Sequence, residues 1–153
     1  VSYIDLPRNY RDTGSTPKNV GVVLAKGKYI SYLDDDNEYF PTHLQELVKL
    51  IERSGVDFVY GSTEIYNRSQ PDKQVAVRDA EPPTFGFIDT SELLHKKDLI
   101  ERFGWWHNTD YNEDGSPTGY WGTDWELIKR WLEGGASWKH SKEVTLKYYF
   151  KDR

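Results

Sequence analysis

Cysteine is absent from the 153-residue chain, which excludes disulfides, thiolate metal sites and a cysteine nucleophile and leaves the redox compartment without a signature. Methionine is absent too, even at position 1, so the sequence reads as processed, trimmed or a fragment. Basic runs are missing and the formal net charge is −5. That balance argues against a nucleic-acid partner, because binding to a phosphate backbone rests on clustered Lys and Arg. No apolar stretch approaches the roughly 20 residues of a membrane span, and no secretory leader pattern opens the chain. With 37% hydrophobic and 29% charged residues, the composition is that of one soluble domain with a core of its own. A cytoplasmic location, free or at a membrane surface, is the expectation.

What the chain has in excess is aromatic: six Trp and eleven Tyr. A flat apolar face with a polar edge suits a core and a carbohydrate cleft alike.

Along the chain, Val1–Leu6 alternates as a strand does. Pro17 opens, and Lys26-Gly27 closes, a short helical segment, KNVGVVLA. Tyr29–Leu33 (YISYL) reads as a strand running straight into Asp34-Asp35-Asp36-Asn37. Pro41–Arg53 is the clearest helix, with Leu44, Leu47, Val48 and Ile51 on one face and Gly55 as a stop. Val56–Tyr60 is the next strand, and residues 62–66 pair as a further antiparallel one. Residues 67–83 are polar and broken by Pro71, Pro82 and Pro83. Phe85–Leu94 reads as a strand, KKDLIERF as a helical turn, and 104–122 as a long loop. Thr123 starts a helix through a capping box with Glu126, and Val144–Phe150 is a last strand. Alternating strands and helices predict an α/β domain with a parallel or mixed sheet.

The strongest chemical signal is the acidic run at the end of a strand, where open α/β sheets bind ligands. Adjacent carboxylates repel and call for a compensating cation. Hard oxygen ligands suit Mg²⁺ or Mn²⁺, ions that also hold substrate phosphates. The bland alternative is a solvated acidic turn capping the next helix. A calcium loop counted from Asp34 fails, because Tyr39 and Gln45 stand at its sixth and twelfth positions. A second such loop, Asp110–Gly115, has Trp121 at the twelfth position. Asp124 lies in the first turn of the late helix, where the dipole alone favours an acid. The preceding Gly119-Tyr120-Trp121-Gly122 adds an aromatic wall, beside which a carboxylate can take a proton from a docked hydroxyl.

These segments resemble glycosyltransferase family 2, the inverting enzymes of the GT-A type. PKNVGVVLAKGKYISYLDDDNEYFPTHLQELV is similar to that family's helix, strand, DxD motif and following helix, and FIDTSELLHKKDLIERFGWW and YWGTDWELIKRWLEGG continue the likeness. The resemblance implies a GT-A-like mixed sheet flanked by helices, over a single domain 1–153 that is the carboxyl-side portion of the fold. The family's first strand–helix–strand nucleotide-binding unit has no counterpart before Val1, so this chain alone is expected to be a weak donor binder or inactive. The implied reaction is metal-dependent, inverting transfer of a sugar, of the hexosyl type, from a nucleotide diphosphate to an acceptor hydroxyl, on a carbohydrate or another molecule.

By the same resemblance, Asp34 and Asp36 are the outer DxD residues and the metal ligands, for Mn²⁺ or Mg²⁺. Asp34 and Asp35 lie towards the nucleotide's ribose and phosphates, and Lys18 approaches the nucleotide. Asp124 is the general base, with Thr123 where the family has a supporting Glu. Thr90 and Ser91 fall near the donor or acceptor sugar. His140 is the one late histidine that could join the metal, and a surface position near a loop is the plainer reading. His43, His95 and His107 are read as structural. Two other classes stay open: a non-catalytic carbohydrate-binding module using the Trp and Tyr surface, and a phosphoryl- or nucleotidyl-transfer enzyme, which lacks its Gly-rich phosphate loop here.

Overall fold

One strand, buried on both of its faces at its start, organises the molecule. In the computed structural model, which describes residues 2–107, 112, 116 and 122–150, β3 (Phe58–Asn67) runs through the sheet. Successive side chains of a strand point to opposite faces. Phe58 and Tyr60 therefore enter one core with Leu93, Leu99, Ile100, Leu127, Ile128 and Trp131. Val59 enters a second core with Leu47, Ile51 and Leu94.

The order of elements is α1 (Ser15–Leu24), β1 (Tyr29–Ser31), β2 (Glu38–Tyr39), α2 (His43–Ser54), β3, β4 (Gln70–Arg78), a 3₁₀ turn (Thr90–Glu92), β5 (Leu93–Lys96), α3 (Asp98–Phe103), α4 (Thr123–Glu133) and β6 (Trp138–Phe150). The six strands form one sheet in the order β1-β5-β3-β6-β2, with β4 paired to β3 beyond β5. β3 and β6 are parallel, while β1–β5, β3–β5, β3–β4 and β2–β6 are antiparallel. The sheet is thus mixed. β1 and β2 lie at its opposite edges, so the acidic run between them crosses the end of the sheet.

Helix α2 behaves as its periodicity predicts. Leu47 and Ile51 are buried, and Gly55 closes the helix with φ 73°, a left-handed conformation that costs Gly nothing. Leu44, read as part of the same face, is instead half exposed. Gly61 serves a different purpose. A Cβ there would lie 2.3 Å from Thr145 Oγ1, so the close approach of β3 to β6 needs the bare backbone.

Several expectations are corrected. Residues 2–6 form no strand and are largely exposed, with Tyr3 at 89%; alternation specifies a strand only where a neighbour and a core face receive it. Residues 62–66 continue β3 rather than start a new strand. The polar stretch after them holds β4, an exposed edge strand that accommodates Pro71. Phe85–Leu94 is not one strand: only Leu93–Lys96 is extended, behind the 3₁₀ turn. Gly122, not Thr123, is the N-cap of α4, so Thr123 stands one place inside the helix and the predicted capping box is out of register. The tryptophans serve mainly the core. Trp106 and Trp131 are buried and Trp125 and Trp138 pack against the same cluster, so the described residues present no broad Trp platform.

Candidate active site

The acidic turn is fixed from below by one serine. Ser91, fully buried in the 3₁₀ turn, accepts at Oγ from the Asp34 backbone N–H at 3.1 Å and from Asn37 Nδ2 at 3.0 Å. The Asn37 N–H closes the turn onto the Asp34 carbonyl at 3.1 Å. Its neighbour Thr90, also fully buried, donates its hydroxyl to Asp124 Oδ1. The 3₁₀ turn is therefore the piece that joins the acidic run to the start of α4, and this is how residues 34 and 124 come into one site.

Lys18, on the first turns of α1, completes the group. Its Nζ lies 3.8 Å from Asp124 Oδ1 and donates to Thr90 Oγ1 at 3.4 Å. It also rests over the Trp106 ring, 4.5 Å from the centroid. That ring is held by its backbone N–H and C=O to the Asn19 side chain, both at 3.0 Å, and by Trp106 Nε1 to Tyr32 Oη at 3.1 Å. Charge and geometry agree. Burial pushes the Asp34 carboxyl above its usual range, Lys18 opposes that, and Asp124, Asp36 and Asp35 add to it by repulsion.

A third carboxylate joins that the sequence did not reveal. Burial and the neighbouring Asp124 raise Asp89 to about 6, against the pull of Arg78 and the Ser91 N–H, with Asp34 adding further repulsion. Asp89 accepts from the Ser91 N–H at 3.0 Å. Behind it Arg78 donates from Nε to Glu92 Oε1 at 2.9 Å and approaches Asp89 at 3.8 Å, and Thr63 donates to the same Glu92 oxygen at 2.5 Å. Glu92 is 1% exposed, and burial raises it to about 7 although Arg78 opposes the rise. The only signal of this layer in the sequence was the FIDTS stretch, which pointed to residues 90 and 91 and not to their supports.

Beside the turn lies a cleft of about 530 Å³, lined among others by Gly14, Lys18, Gly21, Tyr32, Asp34 and Asp35. Asp36 points elsewhere, its Oδ2 paired with Arg68 Nη2 at 2.5 Å. Among the described residues no three His, Asp or Glu side chains form a ready-made cation cage. The donor set fits Mg²⁺ or Mn²⁺ in the way those ions usually bind, through one or two carboxylates with phosphates completing the shell, and the crowding of negative charge around Asp34 favours a cation.

His140 is buried rather than on the surface. It stacks on Tyr60 with centroids 4.6 Å apart, and its Nε2 and Nδ1 lie 3.2 Å from Ser62 Oγ and 3.4 Å from Asp79 Oδ1. His43 and His95 are fully buried, and burial lowers each to about 4, so both are neutral core groups. Gly119–Trp121 and the Asp110–Gly115 loop, save for Asn112, lie outside the described residues. Among the described residues no helix is long and apolar enough to cross a membrane.

The family profile described as Glycosyl transferase family 2 matches residues 1–115. No curated protein sequence matches the chain. Among solved structures, TarS 1–349 of S. aureus in complex with UDP superposes with a TM-score of 0.58 at 13% identity, covering 95% of this chain and 42% of that one. S. aureus TarS gives 0.59 at 12% identity over 95% of this chain and 25% of that chain. The TarS 1–349 complex with UDP-GlcNAc gives 0.54 at 12%, over 91% and 39%. The chain thus spans about two fifths or less of each of these structures.

Proposed function

The chain belongs to glycosyl transferase family 2 and has the mixed α/β GT-A fold; on that premise we propose that it transfers a sugar from a nucleotide diphosphate to an acceptor hydroxyl, with inversion at the anomeric carbon. The observation that carries the reading is the convergence of Asp34, Asp89 and Asp124, from three separate elements, on one lysine-flanked site beside an open cleft. The TarS structures hold UDP and UDP-GlcNAc, which supports a nucleotide-sugar donor for this chain as well.

In this mechanism the diphosphate lies along the Asp34–Asp36 turn, with Asp35 and Lys18 towards the nucleotide. Asp34 and Asp36 would hold Mn²⁺ or Mg²⁺, whose positive charge offsets that of the departing diphosphate. Asp124 is the general base. Thr90 and Lys18 engage its Oδ1, and Oδ2 is the oxygen that would receive the acceptor's proton. Asp124 takes the hydroxyl proton, the acceptor oxygen bonds to the anomeric carbon, and the bond from that carbon to the diphosphate oxygen breaks on the opposite face. The nucleotide diphosphate leaves with that bonding pair. General-base removal is worth about 10²–10⁴-fold, so Asp124→Asn in the full-length protein is expected to abolish measurable transfer while nucleotide affinity stays within a few-fold.

A further inference from the structure

Arg68 stands at the turn of the β3–β4 hairpin and reaches across the end of the sheet to Asp36. Its backbone is tied down: the Arg68 N–H donates to the Phe150 carbonyl at 3.0 Å, at the end of β6. The β3–β4 pairing shifts register between Ile65 and Asn67, just before it. The guanidinium and the Asp36 carboxylate remain open to solvent, with side chains 31% and 41% exposed. They face a polar cleft of about 440 Å³ completed by Asp35, Asn37, Pro71 and Tyr149.

Three features fit together. A guanidinium and a hard divalent ion seek the same carboxylate charge, and a cation that takes Asp36 Oδ2 has to displace the Arg68 Nη2 paired with it. A half-exposed ion pair is weak, so one cation can replace another there without a large barrier. The hairpin backbone is fixed, so exchange needs only rotation of the arginine side chain. We propose that Arg68 is a tethered counter-ion for Asp36 that a divalent cation must displace, so that the hairpin tip sets the metal affinity of the acidic turn. This rests on the reading above that Asp36 is a metal ligand. A released guanidinium stays beside the same cleft, where it repels a bare cation but is favourably placed for the negative charge of a diphosphate. Arg68 thereby weakens the hold on a bare cation and favours one that arrives with a diphosphate.

The test is a titration with Mn²⁺ alone, following free Mn²⁺ by electron paramagnetic resonance, on the unmodified chain and on Arg68→Ala, Arg68→Lys and Asp36→Asn. An exposed pair competes modestly, so Arg68→Ala is expected to tighten Mn²⁺ binding about two- to five-fold. Arg68→Lys, which keeps the charge, stays near the unmodified value. Asp36→Asn weakens binding about tenfold or more. Unchanged or weaker binding in Arg68→Ala, with the Asp36→Asn loss intact, overturns the counter-ion role and leaves the metal reading standing. Unchanged binding in Asp36→Asn overturns both.

Discussion

Replacing Ser91 by Ala isolates the contact on which the acidic turn depends. The substitution removes one hydroxyl from a fully buried position and creates almost no cavity. It leaves the Asp34 backbone N–H and Asn37 Nδ2 without the acceptor they share at 3.1 and 3.0 Å. A donor stripped of its partner costs about 1–3 kcal/mol when buried. Both donors are part-buried, so the lower end applies, about 1 kcal/mol each and about 2 kcal/mol together. For a domain of this size that lowers Tm by about 4–8 °C. Urea denaturation and calorimetry read the loss directly, and nucleotide binding by the same variant should fall further than the stability change explains. Ser54→Ala is the control. Its hydroxyl only donates back to the Leu50 carbonyl within α2 at 2.6 Å, a bond that adds little to a helix. A Ser91→Ala protein as stable as the unmodified one, with unchanged nucleotide affinity, refutes the keystone role of the 3₁₀ turn.

Two further outcomes follow from buried groups near the site. Burial raises Glu92 to about 7 in the folded chain from an ordinary value of 4.5, so between those pH values the native state keeps a proton that the unfolded state releases. Its contribution is complete below about pH 4.5 and is lost as pH rises through about 7. Glu92→Gln should therefore flatten the fall of urea midpoint across that interval, leaving a residual slope from Asp89, which titrates near 6; an undiminished slope contradicts the assignment. Gly61→Ala forces a methyl against Thr145 Oγ1, which is also held by His43 Nδ1 at 2.9 Å and cannot turn freely. Overpacking of this kind costs about 1–3 kcal/mol, and a loss below about 0.5 kcal/mol by denaturant titration would show that β3 and β6 separate easily.

Local pattern made some of this legible and tertiary contact made the rest. Helix α2 declares itself because Leu47 and Ile51 recur at the helical period, and the start of β3 because Phe58, Val59 and Tyr60 are buried on both faces. β4 could not be read the same way. Val75 and Val77 are each 49% exposed, so its residues carry no burial period, and only pairing with β3 defines it. Residues 2–6 show the converse, a pattern with no neighbour to receive it. At the site, the acidic run and Asp124 stand out because clustered charge and a helix start are visible in one dimension. Asp89, Arg78 and Glu92 do not, since a buried ion network consists of partners up to 14 residues apart whose relation exists only once β4 has folded onto β3. Arg68 was hidden for the same reason, 32 positions from the carboxylate it holds.

The central claim is that Asp124 takes the acceptor's proton at a site where the nucleotide is held by other residues. The decisive measurement sets two quantities side by side in the full-length protein with Asn at position 124: sugar transfer, and calorimetric affinity for a panel of nucleoside diphosphates with Mn²⁺ present. The account predicts no detectable transfer together with near-normal affinity. Transfer at close to the unmodified rate would contradict it.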